Sequence, residues 1–294
     1  MRLLRVRTVG IAGVPDGVRD FAHPDTGEPL DLVLFAGPSA IGQTRLLEAI
    51  GAARERLAPS GLDVEDARWI ARGYPAAKVE LTWWFDDEER ELTRHRDPIV
   101  ETEVVFGRDP EIDRDLELLL ASYDHARDAP KLEYFPSRRA VDPMAKLGLE
   151  AREHEKLRAS KGPRKYAFIP RYLRHIAERG EHRRFTDLLA AFTDTCRFDP
   201  EAAGFVSARG EPCSLFELSS SETDATILAA TAALIGLDRS LVLIDRPDLF
   251  LGDDPARLVS ALRSLGEGVQ ILAASGSPRL LRAVPRAHVI EIAP

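Results

Sequence analysis

The sequence predicts an α/β fold in which a mostly parallel core sheet is combined with an antiparallel strand lobe and a helical insertion. Three observations support this prediction. Short apolar runs alternate with helical stretches near both ends of the chain, as in parallel sheets. A stretch with a hydrophobic period of two lies between them, and a charged helical stretch follows it. We expect one domain over 1–294, with an antiparallel β lobe at 76–107 and a charged helical insertion at 140–195.

The first predicted strand is the apolar run LDLVLFAG, and TRLLEAIGAARERL predicts the helix that follows it. Between them, GPSAIGQT (37–44) resembles a phosphate-binding loop, whose pattern is G-x-x-x-x-G-K-[ST]. Gly37, Gly42 and Thr44 fit that pattern, but Gln43 stands where the pattern has lysine. Taken alone, the segment is better explained as an ordinary strand-to-helix turn that contains glycine.

The antiparallel lobe is predicted from two alternating stretches. Over 79–85 and 100–106, apolar residues alternate with polar ones, which is typical of strands that are solvated on one face. A helix is predicted over 111–127. The segment KLEYFPSRR (131–139) predicts a short strand that ends at its proline.

The insertion lies within a basic segment of an acidic protein. The chain has a formal net charge of −8, whereas 131–184 contains fifteen basic and seven acidic residues and has a net charge of +8. Such a segment indicates either an anionic partner or a solvated pair of charged helices. The second explanation is favoured, because glutamates are interleaved with the basic residues. Under the first explanation, the candidate nucleic-acid contacts are Lys156, Arg158, Lys161, Arg164 and Lys165.

The closing part of the chain returns to alternating helices and strands. Helices are predicted at TILAATAALIGL and PARLVSALRSL, and buried strands at 241–245, 269–275 and 288–292. These strands are apolar and short, as expected of a parallel sheet that is covered on both faces.

The segment LSSSE, which opens the first of these helices, has two explanations. Ser219 and Glu222 fit an ordinary capping box, in which two side chains satisfy backbone N–H groups at a helix start. The segment is also similar to the signature loop of ABC-type ATPases, where Ser221 would replace a glycine. That candidate loop comprises Leu218, Ser219, Ser220, Ser221 and Glu222.

Two more segments follow predicted buried strands. In LVLIDRPD, Asp245 stands where a Walker B aspartate would hold Mg²⁺ through water, and Arg246 stands where a catalytic glutamate would follow. In ILAASGSPRLL, Gly276 stands where related ATPases carry a switch histidine. Alone, each segment is better explained as a strand end.

Together, these segments resemble the ABC-type ATPase heads of the SMC, RecF and OLD-like group, which have a P-loop NTPase fold. Leu218 to Asp245 spans 27 residues and Asp245 to Ser275 spans 30, and each interval holds one helix and one strand, as that layout needs. The resemblance covers roughly the whole chain, including the strand lobe and the helical insertion. It identifies Gly37, Gly42, Gln43, Thr44 and Asp245 as a vestigial nucleotide-binding set.

The departures from the resembled pattern fall on positions that handle phosphate or water: Gln43, Ser221, Arg246 and Gly276. A missing general base costs about 10²–10⁴ in rate, and arginine cannot accept a proton near neutral pH. We therefore expect no intact catalytic residue and no required cofactor. The expected function is that of a non-hydrolysing ATPase-like head, a structural or regulatory subunit that pairs with itself or with an ATPase partner.

The alternative is a weak NTPase or nucleotide-gated switch in DNA repair or anti-phage defence, which would use ATP and Mg²⁺. Thr44, Asp245 and the loop glycines favour it. The pattern does not separate the two hypotheses, since nucleotide binding requires fewer groups than hydrolysis.

Composition excludes several other classes. The two cysteines, Cys196 and Cys213, do not suggest a disulfide framework, and no apolar run is long enough to span a bilayer, so a cytoplasmic protein without membrane contact is expected. The histidines show no ligand spacing with cysteine or carboxylate, and no metal site is assigned.

Overall fold

The computed structural model describes residues 1–38, 42–59, 64–109, 113–121, 130–251 and 254–293. The strands are β1 (Arg2–Val9), β2 (Gly17–Asp20), β3 (Leu32–Ala36), β4 (Ala77–Trp84), β5 (Ile99–Phe106), β6 (Leu132–Phe135), β7 (Cys196–Asp199), β8 (Gly204–Ser207), β9 (Pro212–Cys213), β10 (Leu241–Asp245), β11 (Gln270–Ala274) and β12 (Val289–Glu291). The α-helices are α1 (Gln43–Leu57), α2 (Asp87–Thr93), α3 (Arg114–Leu120), α4 (Ala151–Glu155), α5 (Ile169–Arg179), α6 (Arg183–Phe192), α7 (Ser220–Ile235), α8 (Asp248–Leu251), α9 (Pro255–Arg263) and α10 (Pro278–Arg282).

The core sheet has five strands in the order β12-β3-β11-β10-β6, and every pairing in it is parallel. Each residue of β3, β10 and β11 is buried, which explains their continuous apolar sequences. The predicted fold class is therefore confirmed: a mostly parallel sheet is combined with antiparallel strands and helices.

The antiparallel sheet has the order β2-β1-β4-β5. The two alternating stretches predicted from the sequence form β4 and β5, and β4 alternates buried and half-buried residues along its length. The N-terminal strands β1 and β2 also belong to this sheet, although the sequence pattern did not reveal them. A short helix, α2, connects β4 to β5 and is capped by Asp86.

The described part of the insertion is helical but interrupted. It contains α4, a 3₁₀ turn at Pro163–Tyr166, α5 and α6. A three-stranded antiparallel sheet, β7-β8-β9, leads from α6 to the start of α7 and was not predicted. Of the helix predicted over 111–127, α3 covers the described part, and 111–112 and 122–127 lie outside the described residues.

Two apolar clusters lie on the two faces of the core sheet, because alternate residues of a strand point to opposite faces. Leu32 and Leu34 belong to one cluster, with the insertion helices and α7, whereas Val33 and Phe35 belong to the other, with α1 and the antiparallel sheet. Within the described ranges, no helix is long and apolar enough to cross a bilayer.

Candidate nucleotide-binding site

The segments singled out in the sequence converge at one edge of the core sheet. Strands β3, β11 and β10 are parallel neighbours, with Phe35 opposite Ala274 and Ala274 opposite Asp245. Their carboxyl ends therefore meet at the same edge, where ligands of open α/β sheets bind. Gly37 and Ser275 follow β3 and β11 at this edge.

The loop after β3 is shaped by glycine at its end. Gly42 has a φ of 98°, in the left-handed region, and immediately precedes α1. A Cβ built on Gly42 would lie 2.1 Å from the carbonyl oxygen of Gly13, so no side chain fits there. Residues 39–41 lie outside the described ranges.

Gln43 occupies the lysine position at the first turn of α1. Its side-chain amide donates to the carbonyl oxygens of Phe35, at 3.3 Å, and of Gly37, at 3.2 Å. The amide thus ties the start of the helix to the end of β3, and it carries no charge for a phosphate.

Thr44 and Asp245 lie in direct contact. The Thr44 hydroxyl donates to Oδ1 of Asp245 at 2.9 Å. Burial raises the pKa of the Asp245 carboxyl, and hydrogen bonds from Thr44 and Ser137 oppose that shift. The first turn of α1 and the end of β10 are therefore joined at Thr44, the Ser/Thr position of the P-loop pattern, and Asp245, the candidate Walker B aspartate.

Arg246 occupies the position of the catalytic glutamate. Its backbone has a φ of 53°, and its N–H donates to the carbonyl oxygen of Ala274 at 2.9 Å. The side chain is 45% exposed, and its Nε lies 4.0 Å from Oδ1 of Asp248. Arg246 therefore faces Asp248 at the outer limit of an ion pair, while Asp245 is engaged by Thr44.

The switch segment after β11 is held by Asp248. The buried Ser275 hydroxyl donates to Oδ1 of Asp248 at 2.7 Å, and Ser277 caps α10. A Cβ on Gly276 would meet nothing within 4 Å, so this position has room for a side chain. Steric conflict therefore does not explain why glycine stands here in place of the switch histidine.

The segment at Leu218–Glu222 forms the capping box that its sequence predicts. Ser219 is the N-cap of α7, its hydroxyl accepts from the backbone N–H of Glu222, and the Glu222 carboxylate accepts from the backbone N–H of Ser219 at 2.9 Å. Ser220 begins the helix, and Ser221 Oγ lies 3.2 Å from Ser219 Oγ. The capping explanation is thus realised, and a signature role for the same residues stays a prediction.

Arg139 is a member of the site that the sequence interpretation did not select. It comes from the PSRR segment after β6 and is fully buried. Its guanidinium makes a bidentate pair with Asp224 of α7, with Nη2 at 2.9 Å from Oδ2, and Nη1 donates to the carbonyl oxygen of Asp245 at 3.0 Å. Nη2 also donates to the carbonyl oxygen of Arg246 at 3.2 Å.

This arginine stays charged. Burial works against the charged form, but the carboxylate of Asp224 outweighs it, and the pKa of Arg139 is raised. Arg139 therefore fastens the helix of the candidate signature segment to the end of β10. The only sequence signal was a polar aspartate early in an alanine-rich helix, together with an arginine pair after a strand.

Two of the five candidate nucleic-acid contacts are buried. Arg158 donates to Oε1 of Glu55 at 2.5 Å, and Lys165 lies 2.6 Å from Oε1 of Glu133. In this arrangement neither side chain is presented to an external ligand, since each is tied to a carboxylate on another element. Lys156, Lys161 and Arg164 are exposed, and Lys161 pairs with Glu48.

The oxygen donors of the site fit Mg²⁺, but the groups needed for hydrolysis do not fit. Thr44 supplies a hydroxyl oxygen and Asp245 a carboxylate oxygen, the kinds of ligand that Mg²⁺ prefers, and a 2.9 Å hydrogen bond joins them. Arg246 supplies no proton acceptor and Gln43 supplies no charge for the β- and γ-phosphates. These residues could hold a metal–nucleotide complex, but they do not provide the base that activates water.

The described residues contain no group of three or more histidine, cysteine or carboxylate side chains suited to a metal ion. His95 faces Asp113 at 3.1 Å, and the ring of His154 contacts the carbonyl oxygen of Gly148. His125 lies outside the described ranges. Burial raises the pKa of the Cys196 thiol to about 12, which makes it a poor nucleophile.

The chain is similar in structure to SMC head domains. An SMC head bound to the C-terminal winged-helix domain of ScpA aligns with 100% of this chain and 98% of its own, with a TM-score of 0.57 and 13% identity. The SMC head domain of Thermotoga maritima aligns with 97% of this chain and 92% of its own, with a TM-score of 0.51 and 14% identity.

A third structure is the SMC head of Pyrococcus furiosus, with an extended coiled coil and bound to the C-terminal domain of ScpA. It aligns with 96% of this chain and 92% of its own, with a TM-score of 0.56 and 14% identity. No protein-family profile matches the sequence, and no curated protein is similar to it in sequence. At these identities the similarity shows the fold: this chain has the fold of an SMC head.

Proposed function

We propose that this chain is an SMC-like head that does not hydrolyse ATP and that acts as a structural or regulatory subunit of a protein complex. Arg246 carries the proposal. It follows the buried Asp245 at the position of the water-activating glutamate, and a guanidinium cannot accept a proton near neutral pH. Gln43 supports it independently, because its amide is engaged by backbone carbonyls and brings no charge.

The subunit role is supported by the fold and by the contacts at the start of α7. Two of the similar heads are bound to a domain of ScpA, and a protein partner is proposed here by analogy. The Arg139–Asp224 pair and the Ser219 cap fix the exposed start of α7. We propose that this start and the loop after β3 face a second head, either another copy or an ATPase partner.

The test is a steady-state ATPase assay of the purified chain with Mg²⁺, beside Asp245→Asn as the matched variant. We expect wild type and variant to share the same background rate. Mg²⁺-dependent turnover by the wild type that Asp245→Asn abolishes would overturn the proposal.

Light scattering with and without ATP measures whether the chain pairs with itself. A chain that stays monomeric points to a partner of different sequence.

A second candidate function, a nucleotide-gated switch, is favoured by one observation. Thr44 and Asp245, the residue types that hold Mg²⁺ in P-loop NTPases, lie together at the sheet edge and are joined by a 2.9 Å hydrogen bond. Calorimetric titration with Mg·ATP tests it, with Thr44→Val as the matched variant. Micromolar binding that requires Thr44 supports the switch, whereas the absence of heat at millimolar ATP removes it.

A further inference from the structure

A cleft of about 880 Å³ lies in the helical insertion, outside the candidate nucleotide site. Its walls come from the irregular segment before α4, from the turn between α4 and α5, and from α5 itself. The basic residues that line it are Lys146, Lys156, Arg164, Arg171 and Arg174.

These five cations, the cleft cations, are all exposed, and within the described ranges none of them makes an ion pair. Two other cations of the insertion, Arg158 and Lys165, are instead buried and paired with carboxylates. One carboxylate, Glu153, lines the cleft, and it accepts from the backbone N–H of Gly148 at 2.5 Å. The cleft therefore concentrates unneutralised positive charge in a protein whose net charge is −8.

An aromatic ring also lines the cleft. Phe216 is 55% exposed and belongs to the 3₁₀ turn Leu215–Glu217, just before the capping box of α7. A large exposed aromatic beside a concave basic surface is the combination that single-stranded nucleic acids require, because the phosphates need cations and the unstacked bases need a ring.

We propose that the cleft binds single-stranded nucleic acid, with the cleft cations on the phosphates and Phe216 stacked on a base. A duplex fits less well, since its base faces are not available to a ring. An acidic peptide would use the cations but not the ring. The proposal goes beyond the head function proposed above and needs no nucleotide at the sheet edge.

The experiment is fluorescence anisotropy with a labelled dT20 strand and no ATP, over a range of salt concentrations. We expect Arg171→Ala with Arg174→Ala to weaken binding by roughly 50-fold at 50 mM salt and to reduce the slope of log affinity against log salt by about 1.4. The matched control is Arg279→Ala with Arg282→Ala, which removes two exposed arginines at the same spacing on α10. It should change neither quantity.

The ring is tested separately. Phe216→Leu should weaken dT20 binding by roughly 5- to 150-fold without changing the salt slope, and Phe216→Tyr should preserve binding. Thermal melting checks that each variant is folded. The proposal would be overturned if dT20 did not bind at low salt, or if the α10 control variant weakened dT20 binding as much as the cleft variant does. It would also be overturned if polyglutamate displaced dT20 and Phe216→Leu bound dT20 as tightly as wild type. That last result would assign the cleft to acidic peptides.

Discussion

At the scale of single residues, we expect position 43 to determine how strongly the loop after β3 attracts phosphate. A lysine contact at about 4 Å is worth on the order of 4 kcal/mol at an effective dielectric near 20, before desolvation is subtracted. We expect Gln43→Lys to bind Mg·ATP at least about tenfold more tightly than wild type, measured by calorimetry. Gln43→Met, which has similar length and no charge, should give no gain. Equal affinity of the lysine and methionine variants would contradict this prediction.

We expect position 246 to affect turnover rather than affinity. In the Gln43→Lys background, Arg246→Glu places a carboxylate where the guanidinium now stands, and a general base contributes about 10²–10⁴ in rate. We expect this double variant to hydrolyse ATP measurably, while Gln43→Lys alone does not. Adding Asp245→Asn is the control and should return the rate to background. Turnover by the single variant would mean that Arg246 is not the obstacle.

At the scale of elements, Arg139 joins β6, β10 and α7 through one guanidinium. Arg139→Met leaves Asp224 buried and charged without a partner, which costs about 3–5 kcal/mol of unfolding free energy. Urea denaturation measures it. Adding Asp224→Leu should recover most of the loss, because an apolar pair leaves no buried charge. A double variant as unstable as the single one would contradict this explanation.

The N-terminal cap of α7 contributes less to the free energy of unfolding than Arg139 does, and its contribution depends on pH. Ser219→Ala should cost about 1 kcal/mol at pH 7, whereas Ser221→Ala should change stability by less than about 0.5 kcal/mol. Burial raises the pKa of Glu222, but hydrogen bonds from Ser219 and from the Thr195 hydroxyl together outweigh it, so the pKa lies below its usual 4.5. The associated stability is present above that value and disappears as the pH falls through the lowered pKa. The effect of Ser219→Ala should therefore shrink in acid, and a constant difference would speak against the Glu222 contact.

At the scale of the whole molecule, Gln270 holds the antiparallel sheet against the core sheet. It is fully buried at the start of β11, accepts from the backbone N–H of Leu3 at 2.7 Å, and donates to the carbonyl oxygens of Leu3 at 2.8 Å and Leu30 at 3.0 Å. Gln270→Leu would leave these backbone groups unsatisfied, at about 1–3 kcal/mol each.

We expect Gln270→Leu to lower the unfolding free energy by about 3 kcal/mol or more, measured by urea denaturation. Arg5→Ala is the control on the same antiparallel sheet. Its pair with Asp20 is half exposed, so its loss should cost less than about 1 kcal/mol. A Gln270→Leu variant as stable as Arg5→Ala would show that the two sheets are held by apolar packing alone.

The sequence was sufficient for those parts of the fold that have strong local patterns. The buried strands β3, β10 and β11 are apolar throughout, and β4 alternates with a period of two, so each was predicted from its own residues. Strands β1 and β2 were missed because arginines interrupt the apolar residues of β1 and β2 has only four residues, so neither has a strong local pattern. The sheet of β7, β8 and β9 was missed because its short strands, CRFD, GFVS and PC, mix a few apolar residues with arginine, aspartate, glycine, serine and proline.

The candidate site was predictable only where it follows a linear pattern. Thr44 and Asp245 were selected through loop and strand motifs, and the structure places them in contact. The pairs of Arg139 with Asp224 and of Arg158 with Glu55 join residues 85 and 103 positions apart. Charge alone suggested that Arg158 is exposed, since a buried cation is recognisable only when its distant partner is known.

The close approach of Gly42 to Gly13 limits what the glycines of this loop indicate about nucleotide binding. Packing requires glycine at position 42 whether or not a nucleotide ever binds, because the carbonyl of Gly13 occupies the space of a side chain. No comparable steric requirement fixes Gln43, whose side chain only reaches two carbonyls. Position 43 can therefore take other residues without a steric penalty, whereas position 42 cannot. Finding this loop by its glycines detects a packed shape, and only the residue beside them bears on phosphate binding.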